Sequence, residues 1–209
     1  ENLHKLSNQN HDVVCDYWNR EIAHRLERQF DVLIAQNVFA HVDDVHGFLE
    51  SCTHVMNEES HLFIQTSQAN MILNNEFDTI YHEHLSFFNS NSMKRCANIN
   101  GFSLVDVLNT DIHGTSYVFV LKKGSHDESK AMAQIEIENH NGLFNIGTYI
   151  EYARKCHHVT AGLKDMLSEF RDQNYKVVGY GAAAKGNTFL NYYNLDNSCL
   201  LYTSDAADE

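Results

Sequence analysis

The sequence predicts an α/β protein, in which a mostly parallel sheet of the doubly wound type is followed by helices and by the start of a second Rossmann-like unit. Three observations support this class. Two near-continuous apolar runs are typical of parallel strands buried on both faces. Helical patterns alternate with these runs over short joints, which indicates βαβ units. A later apolar run leads into a glycine turn and another helical pattern, as nucleotide-binding units begin.

The first half of the chain contains the parallel part of the predicted sheet. The two buried strands are Phe30–Val38 and His61–Gln65, and we expect them to be neighbours. A short strand is also predicted over His11–Trp18, ending in an acidic and aromatic cluster. Helical spacing covers Arg20–Gln29 and Val42–Val55. Strands and helices in this order predict a parallel sheet.

An antiparallel pair is predicted to close the sheet. Ser92–Asn100 has helical spacing and ends at Gly101. Phe102–Val107 and Ser116–Lys122 alternate apolar and polar residues, and Asp111–Gly114 joins them. We expect Ser116–Lys122 to pair antiparallel with a strand of the parallel part.

The last third of the chain is predicted to be helical up to a strand, turn and helix. Glu128–Glu138 and Leu143–Gln173 have helical patterns. Val177–Gly181 is the predicted strand, and Ala182–Asn191 is the helix that follows it. Cys199–Glu209 (CLLYTSDAADE) breaks the pattern and is expected to be a non-native tail, with an ordinary polar C-terminus as the alternative.

Composition excludes two broad classes. The net charge is −13 and no Lys/Arg cluster is present, which argues against a nucleic-acid binder but leaves room for a small anionic substrate held by local donors. No apolar run approaches the roughly 18 residues of a membrane span. The five cysteines are odd in number and form no CxxC pair, which favours a reduced, cytoplasmic setting without a zinc knuckle or a disulfide framework.

The segment Tyr81-His82-Glu83-His84 is the first candidate site. Titratable and hydrogen-bonding side chains lie here between aromatic and aliphatic residues, where pKa values can be tuned. A histidine accepts a proton near neutral pH, so general-base catalysis is one interpretation. A metal ion shared by the two histidines and a solvated loop without a role are the alternatives.

Three further segments contain candidate contacts. Gln36 and Asn37 end a buried strand, where ligands of open α/β sheets bind, and His41 follows them; capping of the next helix is the alternative. Gly179–Thr188, with Lys185, could approach a phosphate or be a purely structural turn. His113 could contact substrate or only form a turn.

Together these segments resemble the sugar C-methyltransferase family. The blocks FDVLIAQNVFAHV, FDTIYHEHLSFF, HGTS and VVGYGAAAKGNTFLNY occur in the family's order and approximate spacing between Asn2 and Tyr193. Members use S-adenosyl-L-methionine (SAM) to methylate a carbon of a TDP-linked 4-keto deoxysugar. The sequence departs from the family at the turn Asn57–Ser60, at Thr66–Gln68 and in the HGTS block, which resembles a family HGGS motif.

The resemblance implies a domain organisation. Family members combine a zinc-binding domain, a SAM domain and a C-terminal Rossmann-like domain. Relative to them, this sequence lacks the zinc domain, the glycine-rich SAM loop and most of the last domain, so residues 1–209 alone are expected to be inactive and to bind SAM poorly. The expected divisions are 1–125 (SAM domain), 126–175 (helical connector), 176–198 (start of the last domain) and 199–209 (tail).

The resemblance also implies roles for individual residues. His84 matches the proposed base, which would remove the sugar C3 proton while Tyr81 or His41 hydrogen-bonds the oxyanion and Glu83 orients or tunes the histidine. The expected cofactor contacts are Asp16, Tyr17, Trp18, Gln36 and Asn37, and the expected substrate contacts are His113, Gly181, Lys185 and Asn187. A nicotinamide-dependent oxidoreductase and a non-catalytic interaction domain are the rival interpretations.

Overall fold

A four-stranded sheet organises the first part of the chain. The computed structural model describes residues 11–66, 70–111, 115–180, 184–195 and 201–203. The strands of the sheet are β1 (Phe30–Gln36), β2 (Met56–Thr66), β3 (Phe102–Thr110) and β4 (Ser116–Lys123). Their order is β1-β2-β4-β3, with β1 parallel to β2 and with β4 antiparallel to both β2 and β3. The predicted parallel pair and the antiparallel strand beside it are therefore confirmed.

Helices connect and follow these strands. They are α1 (Arg20–Arg25), a 3₁₀ turn (Phe39–His41), α2 (Val45–His54), α3 (Met71–Asn74), α4 (Ser90–Ile99), α5 (Ser129–His140), α6 (Ile146–Asp172) and α7 (Ala184–Tyr193). Polar side chains set the helix starts, because they satisfy N–H groups that have no partner inside the helix. Asn19 accepts the N–H of Ile22 at 3.0 Å, and Asn89 and Ser92 form a reciprocal capping box at α4.

The hydrophobic core lies on one face of the sheet. Alternation along the strands directs Leu62 and Ile64 of β2 and Phe119 and Leu121 of β4 to this face, and all four are fully buried. Helices α2 and α4 and the start of α5 cover it with the following core residues: Phe48, Leu49, Cys52, Met93, Ala97 and Ala131.

Two expectations for the N-terminal part were wrong. β1 is an edge strand among the described residues, and the side chains on its second face are open, with Val32 54% and Ile34 73% exposed. A continuous apolar run does not tell whether both faces are covered, because that depends on neighbouring elements. Residues 11–18 form no strand, although β1 has a free edge among the described residues; instead Trp18 packs edge-on against Phe48.

The later part of the chain forms the predicted strand and helix. β5 (Val178–Tyr180) precedes α7 and pairs in parallel with β6 (Leu201–Thr203), which lies in the segment expected to be a tail. The domain boundaries stay predictions, and α5, assigned to the connector, packs against β3. No helix in the described ranges is both long and apolar enough to cross a membrane.

A buried carboxylate ties α5 to α4. Glu138 is 1% exposed, and its carboxylate accepts the Ser90 N–H at 2.9 and 3.1 Å and the Ser90 hydroxyl at 2.6 Å. Ser90 is the first residue of α4, where free N–H groups and the helix dipole favour a negative charge. This contact therefore gives the buried Glu138 carboxylate hydrogen-bond donors and gives the free N–H at the start of α4 an acceptor.

We expect Glu138→Ala to lower the free energy of unfolding by about 2–3 kcal/mol, because two buried Ser90 donors would lose their acceptor. Urea denaturation of the variant and wild type measures this. Glu136→Ala, an exposed change on the same helix, is the control and should cost less than about 0.5 kcal/mol. Equal costs for the two variants would contradict the role of Glu138.

Candidate functional site

A cleft at the carboxyl end of β1 brings several predicted residues together. Its volume is about 1090 Å³, and its lining includes Asp16, Tyr17 and Trp18 from the N-terminal segment and His41 from the 3₁₀ turn. The Trp18 indole N–H donates to the Phe48 carbonyl at 3.3 Å, which fixes the ring beside the cleft. The Tyr17 side chain is open, with 88% of its surface exposed. Residues that are distant in sequence thus form one wall.

Backbone hydrogen bonds hold the second candidate segment against this turn. The N–H groups of Leu85 and Ser86 both donate to the Ala40 carbonyl, at 2.9 and 3.2 Å. Because Ala40 precedes His41 and Leu85 follows His84, the two histidines are brought side by side, with ring centroids 4.7 Å apart. The sequence-predicted pairing of His41 with the Tyr81–His84 segment is therefore seen in the structure.

Two hydrogen bonds fix the tautomer of His84. Its Nδ1 lies 2.7 Å from the Thr79 carbonyl oxygen, which can only accept, so Nδ1 carries the proton. Nε2 is then the lone-pair nitrogen, and it accepts from the Tyr81 hydroxyl at 3.1 Å. The Tyr81 and His84 rings also contact each other, with centroids 4.2 Å apart. The arrangement presents one basic nitrogen beside one hydroxyl donor.

The surroundings of His84 favour its neutral form. Burial lowers the pKa of the His84 imidazole below its ordinary 6.5, and the positive charges of His41 and Lys185 add to this, while the Thr79 carbonyl and Glu83 oppose it. Burial, with a smaller effect of Glu83, raises the pKa of the Tyr81 phenol. At neutral pH the pair therefore consists of a free base and a protonated donor.

His82 and His84 do not share a site. The chain turns here, with the His84 N–H donating to the Tyr81 carbonyl at 3.0 Å, so the side chains do not fall on one face as they would in an extended segment. The His82 side chain is 90% exposed, and its ionic contact is Glu83 at 3.9 Å. Glu83 is not hydrogen-bonded to His84, and the orienting contact is the Thr79 carbonyl instead.

Three polar atoms at the ends of β1 and β2 are buried and have no hydrogen-bond partner among the described residues. Gln36 is exposed, whereas Asn37 has a positive φ of 52° and its Oδ1 is buried and unpaired. Gln65 Nε2 and Thr66 Oγ1, at the neighbouring strand end, are unpaired too. Gln36 and Asn37 do not line the cleft, so the structure does not join them to Asp16, Tyr17 and Trp18.

The predicted substrate contacts divide into three groups. Lys185 of α7 pairs with Asp78 at 3.5 Å, directly before the Thr79–His84 segment. Asn187 is exposed, and its carbonyl accepts the side chain of Asn191 inside α7. His113 and Gly181 lie outside the described residues.

Sequence reasoning did not single out Thr79, Asp78 or Gln65. Thr79 acts through its backbone carbonyl, for which a sequence carries no signal. Asp78 belongs to the quoted FDTIYHEH block, but its partner Lys185 lies far along the chain. Gln65 could have been found, because the rule applied to Gln36 at one strand end applies equally to the next strand.

Comparisons with known proteins agree with the sequence-based resemblance. Residues 2–107 match the methyltransferase domain family, and residues 111–209 match the family described as C-methyltransferase C-terminal domain. The chain is 28% identical to C-methyltransferase NovU of Streptomyces niveus over 178 residues, which cover 83% of this chain and 42% of that relative. The chain thus spans less than half the length of the curated relative it matches.

Similar solved structures are more distant. The crystal structure of LaPhzM matches with a TM-score of 0.38 and 20% identity over 46% of this chain and 31% of that one. Magnesium protoporphyrin IX methyltransferase (ChlM) from Synechocystis PCC 6803, solved with bound SAH, matches with a TM-score of 0.37 and 12% identity over 49% of this chain and 48% of that one.

We expect the His84 imidazole to titrate below pH 6.5 and to carry its proton on Nδ1 when neutral, because burial disfavours the charged ring and the Thr79 carbonyl binds Nδ1–H. Two-dimensional ¹H–¹⁵N NMR of the imidazole nitrogens across pH 4–9 measures both properties, with His84→Gln to assign the signal. A midpoint above 6.5, or a proton on Nε2, would contradict the described geometry.

Proposed function

Because the chain belongs to the methyltransferase domain family, which matches residues 2–107, we propose that it is part of a SAM-dependent C-methyltransferase acting on a nucleotide-linked keto-deoxysugar. The observation that carries the proposal is the fixed tautomer of His84, which presents a basic Nε2 beside the Tyr81 hydroxyl. The similarity of residues 111–209 to a C-methyltransferase C-terminal domain supports transfer to carbon.

The N-terminal wall of the cleft fits the adenosine part of SAM. The aromatic faces of Tyr17 and Trp18 can stack on a base, and the Asp16 carboxylate can accept ribose hydroxyls. Asp16 now accepts the N–H of Tyr17 at 2.8 Å, which orients the carboxylate. Bound SAM would supply an electrophilic methyl group on sulfur. These residues hold and orient it without taking part in the chemistry.

His84 is the proposed general base. A hydrogen on the carbon next to a ketone is acidic, because the charge left behind spreads onto the oxygen. His84 Nε2 takes this proton, and the Thr79 carbonyl stabilises the resulting imidazolium through Nδ1–H. Burial keeps the ring neutral and ready to accept at neutral pH.

Tyr81 and His41 are the proposed partners of the enolate oxygen. The Tyr81 hydroxyl, which donates to Nε2 in the described structure, would turn to the substrate oxygen and so free the lone pair of His84. The His41 ring, 4.7 Å from that of His84, is the second candidate donor. Glu83 acts on His84 only through its charge, so its contribution to the barrier should be smaller.

We expect S-adenosylhomocysteine to quench the fluorescence of Trp18, the single tryptophan of the chain, because adenine stacking would change the surroundings of the indole. A fluorescence titration measures this, with NADH at matched concentration as the rival ligand. If S-adenosylhomocysteine does not quench Trp18, and NMR spectra show that it binds at residues outside the cleft, the proposed adenosine contacts are wrong.

In the complete gene product that carries this chain, we expect His84→Ala to lower kcat by about 10²–10⁴-fold, the usual range for loss of a general base. Cofactor affinity should barely change, because His84 faces the substrate. Steady-state kinetics with a TDP-linked 4-keto deoxysugar, and deuterium exchange at its C3 position, measure the loss.

His82→Ala is the matched control, since the His82 side chain is 90% exposed and its ion pair is with Glu83. It should keep near-wild-type turnover, and Glu83→Gln should show a smaller loss than His84→Ala. Turnover that depends on His82 and not on His84 would show that His84 was wrongly assigned as the base. Indifference to both changes would show that the segment is structural.

A further inference from the structure

The residues directly before the proposed base are anchored to the last two helices. The Tyr152 hydroxyl of α6 donates to the Glu76 carbonyl at 2.9 Å. The Phe77 ring lies 5.0 Å from that of Tyr192 in α7. Asp78 follows, and its carboxylate pairs with the Lys185 ammonium at 3.5 Å. The catalytic segment thus begins on a surface that α6 and α7 provide.

The Asp78–Lys185 pair contributes little stability by itself. Both side chains are about 40% exposed, and ion pairs at such positions are usually weak. The effect of the pair is to fix the position of the Lys185 ammonium. A lysine side chain is long and flexible, so its charge acts at one place only where a partner holds the ammonium. Although burial is the larger cause, the positive charge of Lys185 lowers the pKa of the His84 imidazole.

We infer that Asp78 is a positioning residue, which holds the Lys185 ammonium at the rim of the site so that it faces the His84 imidazole and an anionic oxygen of the substrate. This inference rests on the proposed role of His84 as the base. It deepens that role, because it makes a residue of the later, Rossmann-like unit part of the environment of the base. In a chain of net charge −13, an anionic substrate needs such a local cation.

Several groups contact His84 or act on it through their charge. On its own segment these are Tyr81, Glu83 and the Thr79 carbonyl; His41 approaches from the 3₁₀ turn and Lys185 from α7. A positive charge nearby disfavours the imidazolium, so loss of Lys185 from the rim should move the titration of His84 to higher pH.

Two mechanisms for Asp78 predict shifts of the His84 titration midpoint in opposite directions. If Asp78 positions Lys185, its removal frees the ammonium and the midpoint rises; if it only neutralises Lys185, the midpoint falls.

The test is an NMR double-mutant cycle on the 209-residue chain. The His84 titration midpoint is measured in wild type, Asp78→Asn, Lys185→Met and the double variant, with far-UV circular dichroism to verify folding. We expect an upward shift in both single variants, and a double variant with the midpoint of Lys185→Met alone. Lys185→Arg should keep the wild-type midpoint, because it retains the charge. Asp78→Ser, with a smaller side chain, carries the same expectation if Asp78→Asn folds poorly.

Asp106→Asn is the matched control, because Asp106 forms a comparable ion pair with Lys130 at 3.0 Å on β3 and α5, away from the site. It should leave the His84 midpoint unchanged. A downward shift in Asp78→Asn, additive shifts in the double variant, or no shift in any variant would overturn the inference. None of these results bears on the proposed role of His84 as the general base, since proton removal is tested separately by the turnover of His84→Ala.

Discussion

The site depends on the parallel pairing of β1 with β2. Parallel strands end at the same edge of a sheet, and the register that sets Gln36 opposite Gln65 brings the segments after both strands to one place. The Ala40 carbonyl then accepts the N–H groups of Leu85 and Ser86, which joins the two segments. Without this pairing, nothing in the sheet would bring His41 and His84 together. The side chains of the site are thus positioned by backbone contacts, and those contacts are positioned by the sheet.

Most of the fold could be predicted from the sequence, because apolar runs and alternation report directly on burial. β1, β2, β3 and β4 appear where the patterns indicate them; the last three extend beyond their predicted bounds, whereas β1 ends two residues earlier, at Gln36. The exposed face of β1 could not be predicted, since an apolar run does not tell whether a neighbour covers it. Residues 11–18 show the same limit: a short apolar pattern predicts a strand, but tertiary contacts such as that of Trp18 with Phe48 decide whether the segment joins the sheet.

The site was predictable in its residue types and not in its geometry. The block from Tyr81 to His84 was a candidate because titratable groups lie between apolar residues there, and its link with His41 was implied by the family resemblance. Which histidine faces inward depends on a turn, and the turn is set by the N–H of His84 and the Tyr81 carbonyl, which every sequence contains. The tautomer depends on the Thr79 carbonyl for the same reason. Backbone acceptors do not appear in a side-chain pattern, so the chemistry they control is found only in the structure.

The carboxyl edge of the sheet also lowers the stability of the fold. Asn37 Oδ1, Gln65 Nε2 and Thr66 Oγ1 are buried and have no partner in the part of the chain that the structure describes, and a buried group without a partner costs roughly 1–3 kcal/mol. Apolar groups of similar shape would be tolerated at these positions on stability grounds alone. Glu138, elsewhere in the core, shows that the same fold can give a buried carboxylate hydrogen-bond donors, here the N–H and hydroxyl of Ser90. A hydrogen-bonded carboxylate in the core thus contrasts with unpaired polar groups at one sheet edge. This contrast is expected where a protein keeps polar groups for function although they lower its stability.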